Sequence, residues 1–189
     1  MIISFTGAQS TGKSTLLNKC KEEFGDKFEY FPEITRQIRD QFGVSINESG
    51  TNLTQYLILG KHVENTLIAE KSTKHSILDR CVLDGIVYTT WLRIKLKISH
   101  EAHAAMTEVF ESLISKIGVI FYTDPKDVEL VNDGERSVDP VFRNDIINIF
   151  EYIMASEPCK NNMIVRLSGT VEERMETIRK TLKGHGISL

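Results

Sequence analysis

The chain has 189 residues, of which 41% are hydrophobic and 26% charged, and its formal net charge is −3. These values fit one folded domain and exclude a disordered chain, a collagen-like repeat and a protein with a global basic field, although a local basic groove stays open. No stretch has the length of a membrane-spanning helix, and Cys20, Cys81 and Cys159 are scattered without metal-ligand spacing, so the expectation is a cytoplasmic protein with reduced thiols and no membrane partner.

In chain order, the first element is a short strand over Met1–Thr6, followed by Gly7-Ala8-Gln9-Ser10-Thr11-Gly12-Lys13-Ser14 and Thr15. This segment matches the phosphate-binding pattern G-x-x-x-x-G-K-[ST], and the apolar residues after it recur at helical spacing, giving the strand–loop–helix context the pattern needs. The glycines let backbone N–H groups crowd around phosphate oxygens, and the new helix adds unpaired donors and the positive end of its dipole. Lys13 is placed to carry a charge to the β- and γ-phosphates, and Ser14 is the expected protein ligand of Mg²⁺. A nucleoside-triphosphate site follows, with ATP·Mg²⁺ as its expected occupant.

Further apolar runs at Phe28–Phe31, Ser76–Asp79, Gly118–Thr123 and Met163–Leu167 alternate with helical segments. The alternation predicts an α/β domain over residues 1–183, with a parallel sheet covered by helices on both faces. Asn52 is a candidate cap for a long helix to about Lys74 whose Leu53, Tyr56, Leu57, Val63 and Leu67 would face the core. Further helices are expected from Cys81 to about Lys95, over Glu101–Lys116, over Pro140–Ser156 with Asp139-Pro140 as cap and first turn, and over Thr170–Lys183 behind a capping box. Leu92–Ile98 alternates apolar and basic residues and reads equally as a strand or as a helix end. Gly184–Leu189 reads as a flexible tail.

Four later segments carry candidate chemistry. Glu33, in Tyr30-Phe31-Pro32-Glu33-Ile34-Thr35-Arg36, would follow the second strand at its carboxyl edge and take a proton from an attacking hydroxyl, or simply begin a helix. Arg36 would pair with it or touch substrate. Asp79-Arg80 would end an inner strand, with Asp79 in reach of Mg²⁺ or its waters and Arg80 in the ligand crevice; the alternative is a surface ion pair. The polar segment at residues 132–143 suits a lid whose Arg136, and with it Arg143, would close on the transferring phosphate. Gly169-Thr170, after the last strand, would line the adenine. Base-specificity signals of a GTPase are absent from the sequence.

In their order, the phosphate loop, Pro32-Glu33-x-x-Arg36, Leu78-Asp79-Arg80 with Asp84 and Tyr88, Asp133-Gly134-x-Arg136-Ser137-x-Asp139 and Gly169-Thr170-x-x-Glu173-Arg174 resemble the NadR-type ribosylnicotinamide kinase domain and its AAA-labelled relatives, some of them phage-encoded. The resemblance spans nearly the whole chain. It implies the three-layer P-loop NTPase fold of the nucleoside and nucleotide kinases, with five parallel strands in the order 2-3-1-4-5 and ATP·Mg²⁺ as phosphoryl donor. It further implies Asp79 at the reacting centre, Glu33, Arg36 and Asp84 near the acceptor, and Arg136 from the lid. No nucleotidyltransferase domain accompanies these residues, so the resemblance does not name the acceptor. The leading reading is a kinase acting on a small nucleoside- or nucleotide-like acceptor. Its alternatives are a kinase acting on a modified base in DNA, for which Arg93, Lys95 and Lys97 with Lys71 and Lys74 would form a backbone-binding strip, and a nucleotide-binding regulatory module. Oligomeric state is not legible.

Overall fold

A computed structural model of the chain describes residues 1–126 and 139–189. Five strands, β1 (Ile2–Thr6), β2 (Phe28–Phe31), β3 (His75–Asp79), β4 (Ile117–Thr123) and β5 (Met163–Leu167), form one sheet in the order β2-β3-β1-β4-β5. Every pairing is parallel, with Phe5 of β1 opposite Asp79 on one side and Phe121 on the other. The two central strands are apolar enough to be buried on both faces, as a sheet covered by crossover helices requires.

Side chains alternate across these strands and sort into two cores. Ile3, Phe5, Val119 and Phe121 pack with Leu16, Leu17, Met175 and Ile178. These last four come from α1 (Lys13–Phe24) and α7 (Val171–Gly184). The Phe5 and Phe121 rings stack with centroids 5.5 Å apart. On the other face, Ile2, Leu78, Ile120 and Tyr122 pack with Val87, Trp91, Met106, Phe142 and Phe150. Those residues come from α4 (Val82–Ile94), α5 (His100–Leu113) and α6 (Pro140–Met154). Burying each large side chain contributes roughly 1.5–3 kcal/mol, so the two cores hold the sheet edge in place from both sides.

The helices begin where the chain supplies caps. Asp139 accepts from the Val141 N–H with Pro140 in the first turn of α6, and Thr170 with Glu173 closes a capping box on α7. At α4 the capping box is made by Cys81 and Asp84. Leu92–Ile98 is a helix end: Leu96 turns left-handed at φ +55° and the Lys97 N–H reaches back to the Leu92 carbonyl.

Three expectations are corrected. The long helix α3 runs Asn52–Lys71, and its cap is Thr51, whose hydroxyl accepts from the Thr54 N–H. Asn52 instead accepts from the Ser99 N–H. The apolar residues expected on its buried face include Leu53, Tyr56 and Leu67, which are exposed, whereas Thr54, Gln55, Ile58, His62, Asn65 and Thr66 are buried. The buried stripe is largely polar because its hydrogen bonds are made inside the fold: Thr54 donates to the Ser45 carbonyl and Thr66 to the His62 carbonyl. Finally, the segment expected as a flexible tail turns back at Gly186, φ +73°. The Ile187 N–H bonds to the Leu182 carbonyl and its side chain joins the core of α1 and α7.

Candidate functional site

The phosphate loop lies between the carboxyl end of β1 and the start of α1. Gly7, at φ +135°, fits only as glycine because a Cβ there would lie 2.6 Å from Thr123 Oγ1. That hydroxyl is 2.6 Å from Thr11 Oγ1 and donates to the Thr6 carbonyl, tying the loop to β4. Ser10 and Gly12 are also left-handed, at φ +58° and +83°. Such alternation turns successive N–H groups toward one side and makes an anion-binding concavity. Lys13 Nζ donates to the Gly7 and Ala8 carbonyls at 2.9 and 2.6 Å and to Thr11 Oγ1 at 3.2 Å. Burial, and then the nearby Arg80 guanidinium, pull its ammonium below the ordinary lysine range. Ala8, Gln9, Ser10 and Thr11 are buried in the loop, while Thr15 is exposed in the first turn of α1.

Behind the loop, Ser14 Oγ donates to Asp79 Oδ2 at 3.4 Å. Asp79 Oδ1 is buried and has no hydrogen-bond partner among the described residues. Burial pushes the Asp79 carboxyl up, Glu33 and Asp84 add to the rise, and Arg80 and Lys13 oppose it. A hydroxyl beside an unsatisfied buried carboxylate oxygen is the oxygen donor set that Mg²⁺ takes, together with waters and phosphate, so these two residues fit that ion. No cluster of three or more metal-binding side chains occurs among the described residues.

Arg80 joins the loop to the opposite wall. It holds φ +73°, a strained conformation for a side chain of this size. Its Nε donates to Glu33 Oε1 at 3.1 Å, and one terminal nitrogen donates to Asp84 Oδ1 at 2.9 Å and to the Gly7 carbonyl at 3.4 Å. The guanidinium lies 5.4 Å from the centroid of the Tyr88 ring. Asp84 is fully engaged, since its Oδ2 accepts from Thr6 Oγ1 and the Cys81 N–H. Glu33 sits just before α2 (Ile34–Phe42), with Arg36 Nε 3.5 Å from its second oxygen. Burial would raise the Glu33 carboxyl, but Arg80, Lys13 and Arg36 outweigh it and hold the group below its ordinary value. Glu33 is therefore ionised at neutral pH.

Two clefts meet at this ion pair. One is lined by the phosphate loop from Gln9 to Ser14 with Arg36 and Ile46. The other lies between α3 and α4 and is lined by Gln55, Ile58, His62, Asp84, Gly85 and Tyr88. Glu33, Arg80 and Asn47 line both.

A family model described as an AAA domain matches residues 2–174. The chain belongs to this family. No curated protein sequence matches the chain. Among solved structures, this AAA domain is similar to a deoxyadenosine kinase from M. mycoides with dCMP and dCDP, at 14% identity and a TM-score of 0.71, covering 97% of this chain and 100% of the other. It is also similar to a NadR protein in complex with NR, at 18% identity and a TM-score of 0.75. There the match covers 100% of this chain and 52% of the other, so the chain spans about half the length of that protein. Thymidylate kinase from Candida albicans follows at 14% identity and a TM-score of 0.66, with 98% and 92% covered. The fold is that of the P-loop nucleoside and nucleotide kinases.

Set against the sequence, this AAA domain brings Lys13, Ser14, Glu33, Arg36, Asp79, Arg80 and Asp84 together around one crevice. Arg136 and residues 132–138 of the expected lid lie outside the described residues. Arg143, in the first turn of α6, donates to the Pro125 carbonyl. Gly169 and Thr170 lie at the end of β5, where the Thr170 N–H and hydroxyl are both bonded to Glu173. Lys95 is paired with Asp145, and Lys97 donates to the Glu48 carbonyl, so these two of the proposed basic strip are engaged within the fold. No described helix is long and apolar enough to cross a membrane.

Sequence reasoning missed Gln55, Ile58 and His62, because polar residues on a helix read as its solvent face. It also gave no role to Arg174, which donates to the Gly169, Thr11 and Asp124 carbonyls and is 3% exposed.

Proposed function

We propose that this AAA domain is an ATP-dependent kinase that transfers the γ-phosphate to a hydroxyl or phosphate oxygen of a small nucleoside- or nucleotide-like acceptor. The observation that carries the reading is the Glu33–Arg80 pair, which forms a common wall of the phosphate-loop cleft and the α3–α4 cleft. Two reactants seated in adjoining clefts meet at a carboxylate and a guanidinium. That is the arrangement a phosphoryl transfer needs, since its catalysis is mostly positioning and charge neutralisation.

In this reading the loop N–H groups and Lys13 hold the β- and γ-phosphates, and the acceptor enters between α3 and α4. For a hydroxyl acceptor, its oxygen forms the new bond to the γ-phosphorus as the bond to the β–γ bridging oxygen breaks. Glu33 takes the hydroxyl proton, and ADP leaves. Arg80, fixed by Asp84 and the Gly7 carbonyl, aims Glu33 and faces the charge that develops on the phosphoryl oxygens. Ser14 and Asp79 would hold Mg²⁺, which supplies charge neutralisation between the β- and γ-phosphates when bound. Arg136 is assigned by sequence to the transferring phosphate, and Gly169-Thr170 to the adenine side.

Lys13→Ala tests the donor half. It is expected to cut γ-phosphate transfer, measured with radiolabelled ATP over a panel of nucleosides and nucleotides, by roughly 10²–10³-fold while the fold, checked by circular dichroism, is retained. Undiminished transfer overturns the reading.

A further inference from the structure

Gln9, in the phosphate loop, is 6% exposed, and its Nε2 is buried without a hydrogen-bond partner among the described residues. The next side chain repeats the pattern, since Ser10 Oγ is buried and unpartnered as well. Buried polar groups almost always find a partner, and both residues line the phosphate-loop cleft. The Gln9 amide is held from the other cleft. Its Oε1 accepts from the Tyr88 hydroxyl at 3.3 Å, and Tyr88 belongs to the wall of the α3–α4 cleft. Burial raises the Tyr88 hydroxyl above its ordinary range, so it keeps its proton. Arg80, whose guanidinium lies against the Tyr88 ring, can only donate, so the phenolic proton goes to the Gln9 oxygen. That leaves Nε2, with its N–H donors, on the open side of the amide.

We propose that Gln9 donates through Nε2 to the phosphoryl group in transfer, and that Tyr88 aims it from the acceptor side. The assignment rests on the kinase reading of the two clefts, and it adds a side-chain donor that the acceptor cleft itself positions. The acceptor oxygen bonds to the γ-phosphorus as the bond to the β–γ bridging oxygen breaks. The hydroxyl proton passes to Glu33, ADP leaves, and negative charge spreads over the equatorial phosphoryl oxygens. A donor fixed in advance, away from water, acts most strongly where charge develops. The loop N–H groups are fixed by the turn that carries them. The Gln9 amide is fixed by α4, the helix that also carries Asp84. Because the amide is neutral, it adds a hydrogen bond without competing for the Glu33 carboxylate, as a further cation beside Arg80 would. The Tyr88–Gln9 contact thus joins the wall of one cleft to the reacting group in the other.

The test is calorimetric binding to the full chain, with Mg²⁺, of ADP and of ADP with aluminium fluoride, a mimic of the phosphoryl group in transfer. Transfer of γ-phosphate from ATP is followed in parallel over the nucleoside and nucleotide panel. Wild type is expected to bind the fluoride complex more tightly than ADP alone. Gln9→Met, which keeps the length and loses the amide, is expected to weaken the fluoride complex by roughly tenfold or more and to lower kcat, with ADP affinity unchanged. Gln9→Glu keeps an oxygen for Tyr88 and replaces the donor by a carboxylate, so it should lose at least as much. Tyr88→Phe should lose part of it. The double variant should bind the fluoride complex no more weakly than Gln9→Met alone, because Tyr88 acts through Gln9. Unchanged affinity for the fluoride complex in Gln9→Met, or an equal fall in ADP affinity, overturns the assignment. Full affinity in Gln9→Glu overturns it too, since an oxygen would then face the ligand, and additive losses in the double variant remove Tyr88 as the positioning residue. A wild-type protein with no preference for the fluoride complex also overturns it. A preference present in wild type and lost in Gln9→Met, with no transfer to any acceptor, upholds Gln9 and overturns the kinase reading.

Discussion

The buried His62 imidazole sets how stability responds to acid. Its pKa is about 3 in the folded protein because burial and Arg80 disfavour the cation, against about 6.5 in an unfolded chain. Between those values the unfolded state binds the proton and the folded state does not, so stability is complete above pH 6.5 and falls as the pH drops toward 3. The loss attributable to this one residue reaches about 2 kcal/mol by pH 5. His75 and His103 are also held below their ordinary values by burial and act in the same direction. They are common to wild type and variant, so the comparison isolates His62. Urea denaturation of wild type and His62→Phe at pH 7.5 and pH 5 should show a smaller acid loss in the variant. Equal losses would mean that His62 is protonated in the folded state.

At the scale of the element, α7 reaches across the sheet edge to hold the phosphate loop. Arg174 follows the Thr170–Glu173 capping box by one residue, and its guanidinium binds carbonyls from the loop, from Gly169 and from the end of β4. Removing a buried donor strands each carbonyl at about 1–3 kcal/mol. Arg174→Ala should therefore lower the urea midpoint and also weaken binding of an ATP analogue roughly tenfold or more. A stability loss with nucleotide affinity unchanged would make Arg174 merely structural. The motif Gly169-Thr170-x-x-Glu173-Arg174 was visible in the sequence, but its task was not, because a fork joining three loops has no local spacing. The same distinction runs through the other elements. All five strands were legible from apolar runs, and the starts of α6 and α7 from their capping residues, which act over a few positions. The inward face of α3 was misread because its polar residues are satisfied by Ser45 and Thr89, which lie outside the helix. The tail was misread because Ile187 is buried by a turn at Gly186 rather than by any periodic pattern. In the site, the phosphate loop and Asp79-Arg80 announce themselves by fixed chemistry, whereas the α3–α4 wall exists only once two distant helices face each other.

For the molecule as a whole, strand order explains why the reactive groups converge. β1 lies between β3 and β4 in the order β2-β3-β1-β4-β5, and ligands in such sheets gather at the carboxyl ends where the order reverses. The loop after β1 supplies the phosphate cradle, the end of β3 supplies Asp79 and Arg80, and the start of α2 supplies Glu33. The buried Asp79 carboxylate has one oxygen without a partner among the described residues and a pKa pushed up by burial, so a divalent cation at Ser14 and Asp79 should relieve a local cost of the fold. A nonhydrolysable ATP analogue at a hundredfold over its dissociation constant stabilises a protein by about 2.7 kcal/mol, which for a domain of this size is a rise in melting temperature of roughly 5–10 °C. Adding Mg²⁺ with the analogue should raise the temperature further in the wild-type protein. In Asp79→Asn the shift from nucleotide alone should remain and the Mg²⁺ increment should vanish, because the amide keeps the shape and loses the charge. Thermal melts of both proteins with analogue, with Mg²⁺ and with the two together measure this without turnover. Equal Mg²⁺ increments in the two proteins would remove Asp79 from the metal site and leave Ser14 as the one assigned ligand.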